Sequence, residues 1–168
     1  MFFALLFCYT LHMRDNAWLE QKLEKIWREH FGDVEQSNDV EIKFGAKARR
    51  RLGSIRQINP RDKNSATKIL ITGYFRDDRV PESIIDATIA HELCHYAHGF
   101  CSPLPKFSKY PHQGGLVDKE LRSRGFADAL KSQKAWLKTD WPIIAGEPIR
   151  RHRMRRRRVG LMRIFGIK

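Results

Sequence analysis

Apolar positions along the chain fall into two periods, one helical and one alternating. Over residues 13–31, Trp18, Leu19, Leu23, Ile26, Trp27 and His30 recur at three- and four-residue steps with Glu and Lys between them, and Gly32 follows. That spacing predicts an amphipathic helix that ends at the glycine. Val40 to Phe44 alternates and reads as a strand, Leu52 to Ile58 as a second, and Thr67 to Phe75 as a third, with Gly73 as a candidate bulge. Asn59-Pro60-Arg61-Asp62 is a turn signal, and the short links predict an antiparallel meander. A central helix is expected from Pro81 to about His98, closed by Gly99. A loop rich in Pro, Ser and Lys then runs to about Gly115. Helices are expected over 116–124 and 126–139.

These elements predict an α+β fold: a small three-stranded antiparallel sheet packed against the central helix and against N- and C-terminal helices. The expected folded unit spans residues 13–146. The chain has 168 residues and 42% apolar content, which suits one domain with a modest core.

The central helix carries the candidate chemistry. His91 and His95 lie about 40° apart on a helical wheel, one turn from each other on one face. Ile85, Ile89, Leu93 and Tyr96 gather on the opposite side as an apolar back. Two neutral imidazoles so placed can converge on Zn²⁺, which lowers the pKa of a water towards ~7. Glu92 lies beside His91 and can take that water's proton. His91 and His95 are therefore candidate metal ligands and Glu92 the candidate catalytic base.

A catalytic zinc needs a third protein ligand. His98 shares the face but stands about 10 Å along the axis from His91, too far for one ion, and is expected to cap the helix end. His112, in Pro111-His112-Gln113-Gly114-Gly115, is the preferred third ligand, since its loop is long enough to fold back and its glycines allow close backbone approach. Cys101 and Glu120 are the alternatives. A metzincin pattern would place Gly at 98 and His at 101; His98 and Cys101 stand there instead.

With these residues in view, the chain resembles the SprT-like metallopeptidase family, which includes the Spartan-type proteases that degrade proteins crosslinked to DNA. The match is carried by Ile84 to His95, by the strand Lys68 to Phe75, and by Pro111 to Gly115 with the following helix ending in Arg124-Gly125-Phe126. It covers about residues 15–140. The resemblance implies a zincin-like minimal domain with His91, His95 and His112 as zinc ligands and Glu92 as general base. It also implies a sheet edge that binds an extended protein or peptide substrate, placed here near residues 67–75. Gln113 interrupts the family's usual His-Gly step, and an Arg-rich tail stands where a zinc ribbon is frequent.

Charge extends the picture. The chain has 32 Lys and Arg against 19 Asp and Glu, a formal net charge of +13. Nine of those cations lie between Arg150 and Lys168, a stretch without an acid, which leaves +4 elsewhere. Seven of the nine positions 150–158 are Arg. Such a segment, part of a tail over 147–168, suits phosphate contacts and suggests DNA or RNA as a partner. Lys47, Arg49, Arg50 and Arg51 form a second basic cluster, read as a loop face. The apolar stretch 1–12 is too short to span a bilayer and lacks a signal-peptide pattern, so it reads as a mis-assigned start or a short packed extension. No stable membrane insertion is expected.

Three cysteines, Cys8, Cys94 and Cys101, match no disulfide scaffold and favour a cytoplasmic setting. Cys94 reads as a packed thiol, and the four Trp residues as core. The expectation is a monomeric zinc metallopeptidase, with Tyr110 or an Arg as the oxyanion stabiliser. The rival readings are a zinc-dependent nuclease and a nucleic-acid-binding module with structural zinc.

Overall fold

The computed structural model describes residues 14–146, so the expectations for the apolar stretch 1–12 and the basic tail 147–168 lie outside the described residues. The chain forms α1 (Asn16–His30), β1 (Val40–Phe44), β2 (Gly53–Gln57), β3 (Thr67–Ile71), α2 (Glu82–Ala97), α3 (Leu116–Ser123), α4 (Ala127–Thr139) and the short α5 (Trp141–Ile144). Among the described residues no helix is long and apolar enough to cross a membrane.

Helix α1 starts where Asp15 accepts a hydrogen bond from the Trp18 N–H at 2.8 Å, as an N-cap should. Its apolar stripe, Trp18, Leu19, Leu23 and Ile26, is buried. Trp18, Trp136 and Trp141 are buried too, as expected of core residues.

The architecture is α+β with a three-stranded sheet, but the sheet is mixed and its order is β1-β3-β2. This corrects the antiparallel meander. β3 pairs parallel with β1, with Ile42 opposite Ile69, and antiparallel with β2, with Ile55 opposite Ile69. The physical reason lies in the strands themselves. β3 buries Thr67, Ile69 and Ile71 completely and suits the centre, whereas β1 and β2 expose Lys43 and Arg56 and suit edges. The segment expected as one long strand also divides. After Ile71 the chain turns through a 3-10 segment, Gly73–Arg76.

The β1–β2 loop, residues 45–52, crosses the end of β3 and is pinned there. Thr72 Oγ1 donates to the Ala48 carbonyl and accepts from the Ala48 N–H, at 3.0 and 3.1 Å. The Gly73 N–H donates to Ala46, and the Thr72 N–H to Leu52. A Cβ at Gly73 would stand 2.6 Å from the Gly45 carbonyl oxygen, so the crossing needs glycine there.

Helix α2 packs against β2 and β3 and against α1, α3 and α4. Enclosed in this way, it buries Ala87, Ala90, Glu92 and His95 as well as the expected apolar back of Ile85, Ile89, Leu93 and Tyr96. The Tyr96 hydroxyl donates to Asn38 Oδ1 at 2.7 Å, Asn38 Nδ2 donates to Thr67 Oγ1 at 3.0 Å, and Thr67 Oγ1 donates to the Cys101 carbonyl at 2.6 Å. This polar chain ties the back of α2 to the sheet and to the loop beyond the helix.

Candidate metal centre

Two consecutive turns of α2 bring the rings of His91 and His95 together, and the loop before α3 returns His112 to them. The Nε2 atoms of His91 and His95 stand 3.2 Å apart. One nitrogen from each of the three histidines lies within 4.8 Å of the others. Ligands about 2.0–2.1 Å from a tetrahedral zinc are about 3.3 Å from each other, so the helical pair already has the separation an ion requires. The third nitrogen stands further off, on an exposed residue. Among the described residues this is the only group of three or more such side chains placed to share an ion.

The glycines after His112 act differently from expectation. A Cβ at Gly114 or Gly115 would meet nothing within 4 Å, so close backbone approach is not their role. Both have left-handed backbone, φ +62° and +69°, and this lets the chain turn from His112 directly into α3.

Burial keeps the helical pair neutral. The pKa of His91 falls to about 4, chiefly by desolvation and then by the neighbouring His112. That of His95 falls to about 3, again by desolvation first and then by His91, His112 and His98. The neutral imidazole is the form that binds a metal. Glu92, 5% exposed, moves the other way. Desolvation lifts its carboxyl to about 7 and the positive charge of Arg51 opposes that rise. A carboxyl poised near neutral pH is suited to accepting and returning a proton.

The cavity over these groups holds about 340 Å³ and is walled by Arg50, Arg51, Leu52 and Gly53 on one side and by Thr88, His91, Glu92, His112 and Gln133 on the others. The sequence reading missed Gly53. A Cβ there would stand 2.5 Å from Glu92 Oε1 and 2.9 Å from Thr88 Cγ2, so edge strand β2 comes this close to the helix only because residue 53 is glycine. The sole signal in sequence was a glycine opening a strand. Gln133, donating to Thr88 Oγ1 at 3.1 Å, was also unforeseen.

The other candidates lie elsewhere. His98 occupies the C-cap of α2, its N–H bonded to the Cys94 carbonyl. Its Nε2 meets the Glu120 carboxylate, and its ring stacks on Phe107. Glu120 also accepts from Arg124 Nε at 2.9 Å, so both of its oxygens are engaged away from the three histidines. Cys101 directs its Sγ to the Ile55 carbonyl. Neither alternative third ligand joins His91 and His95. Cys94 is fully buried, and burial pushes its thiol well above the ordinary range. Tyr110 is 59% exposed and does not line the cavity, whereas Arg50 and Arg51 do. The strand expected to be the substrate-binding edge, near 67–75, is the central strand. The edge beside Glu92 is β2.

A larger cleft of about 750 Å³ lies beyond His98, lined in part by Asp33, Glu120 and Arg124. Arg124 already donates to both carboxylates, to Glu120 at 2.9 Å and to Asp33 at 2.6 and 2.9 Å. Comparisons with protein-family models, with curated proteins and with solved structures find no match to this chain.

Proposed function

We propose that the chain is a zinc-dependent metallopeptidase of zincin-like, SprT-like type, with His91, His95 and His112 as ligands and Glu92 as general base. The observation that carries this reading is the meeting of three imidazoles from helix and loop beside a buried carboxyl, in a cavity walled by a sheet edge. The residues fit the ion. The helical nitrogens have a zinc pair's separation, and no charged side chain hydrogen-bonds to them. Bound there, Zn²⁺ supplies a Lewis acid for a scissile carbonyl and acidifies the attacking water.

The chain's own groups do the rest. Glu92 takes the proton of the attacking water and returns it to the departing amine, so its protonation changes twice per turnover. An extended substrate would lie along the side of strand β2 away from β3, at its Gly53 end beside the cavity, since the Ile55 carbonyl is already met by Cys101 Sγ. No fourth His, Cys, Asp or Glu joins the three histidines among the described residues. That favours a catalytic over a closed structural site. The nucleic-acid role assigned to the 150–158 segment is a separate part of the proposal: protein substrates associated with DNA or RNA would be brought to the site by phosphate contacts.

The test is zinc content of the purified chain together with cleavage of an unfolded protein. One zinc per chain and proteolysis abolished by Glu92→Gln are expected. Full proteolysis in Glu92→Gln would remove this mechanism, and RNA cleavage lost in His95→Ala would favour the nuclease instead.

A further inference from the structure

The β1–β2 loop gives the cavity a one-sided electrostatic character that zinc chemistry does not require. Its backbone is held at four points: by Thr72 and Gly73 at Ala46, Ala48 and Leu52, and by Trp141 Nε1, which donates to the Arg49 carbonyl at 3.1 Å. The side chains it carries are Lys47, Arg49, Arg50 and Arg51, all exposed. Arg49 reaches towards the Tyr74 hydroxyl, and Lys47 lies over the Tyr74 ring at 5.6 Å. Arg50 and Arg51 instead line the cavity, three and two residues before the start of edge strand β2. Neither makes an ion pair or a hydrogen bond among the described residues.

The acids nearby do not neutralise this wall. Glu92 is buried in the cavity and is the proposed base. Asp118, whose charge acts on His91, is paired with Lys134 at 3.4 Å. Gln133 adds a neutral polar group. Two guanidiniums without an ion pair or hydrogen bond among the described residues, Arg51 acting on buried Glu92 through its charge alone, stand on a fixed backbone beside the edge along which a peptide would lie and form a receptor for carboxylates.

We propose that this site selects acidic polypeptide, with an Asp or Glu next to the scissile bond held by Arg50 and Arg51. This rests on the peptidase reading and adds the substrate class to it. A Lys or Arg at the same substrate position meets two like charges and is rejected.

The experiment uses the full zinc-loaded chain and three fluorogenic peptides identical except for Glu, Ala or Lys at the positions flanking the scissile bond. We expect kcat/KM to be about ten-fold higher for the Glu than for the Lys peptide, with the gap narrowing as salt rises. It should vanish in Arg50→Ala/Arg51→Ala and invert in Arg50→Glu/Arg51→Glu. Both arginines are exposed, and circular dichroism checks that the variants fold. Equal rates for all three peptides would overturn the acidic preference and leave the peptidase intact.

Binding of the same peptides to zinc-loaded Glu92→Gln, followed by fluorescence anisotropy, separates the two failures. If the wild-type chain cleaves nothing but the Glu peptide binds best and loses its advantage in the arginine variants, the carboxylate receptor stands and the peptidase reading falls. Should a single-stranded oligonucleotide bind through Arg50 and Arg51 while the peptides show no charge preference, the loop is a phosphate surface and the proposal is overturned.

Discussion

Helix α2 ends in two histidine groups one turn apart, and they have opposite surroundings. His91 and His112 line a cavity, His95 meets His91 Nε2 to Nε2 at 3.2 Å, and one nitrogen from each of the three lies within 4.8 Å of the others. His98 is just as buried as His95, 6% exposed in both cases, yet its Nε2 is bonded to Glu120, which in turn holds Arg124, which holds Asp33. One group leaves its nitrogens unclaimed by acids and is suited to an added cation. The other has its counter-charge built in and is suited to fixing α2 against α3. Neighbours, rather than histidine content or burial, separate a candidate ligand from a strut.

The largest effect that could break this contrast concerns catalysis. Glu92→Gln should keep its zinc and lose about 10²–10⁴-fold in kcat, read by proteolysis assay beside metal analysis. Loss of both together would mean that Glu92 is structural. Gly53→Val comes next. Its side chain occupies the space of Glu92 Oε1, so activity should fall at least about ten-fold while zinc stays bound, since a displaced base is costly at the scale of an ångström. Unchanged activity would show that β2 does not set the position of the base.

On the strut side, His98→Ala removes the Glu120 partner and the Phe107 stack, and should lower unfolding free energy by about 1–3 kcal/mol in denaturant titration without loss of zinc. The smallest effect is expected of Tyr96→Phe. It breaks the bond to Asn38 and should cost about 1 kcal/mol with the metal site unchanged. A larger loss there, accompanied by loss of zinc, would tie the back of the helix to its front.

Sequence made one side of this contrast legible. The i, i+4 spacing of His91 and His95 identifies two convergent nitrogens, and helix rise separates His98 from them. His112 was also within reach, because a long loop ending in a helix start has few places to put a histidine. The strand order was not. Nothing local states that β3 inserts between β1 and β2, since the pairing depends on which strand can be buried on both edges. The mistaken edge strand followed directly from that. Gly53 and the cavity-facing Arg50 and Arg51 stayed hidden for the same reason: their meaning comes from a sheet edge lying on α2, a contact between residues about forty positions apart. The paired state of Glu120 depends on Arg124 and His98 together, which no single spacing reveals.

The most direct measurement is zinc stoichiometry in three purified chains: wild type, His112→Ala and His98→Ala. The account predicts one zinc per chain in wild type and in His98→Ala, and loss of tight binding in His112→Ala. Retention of zinc by His112→Ala with its loss from His98→Ala would contradict it.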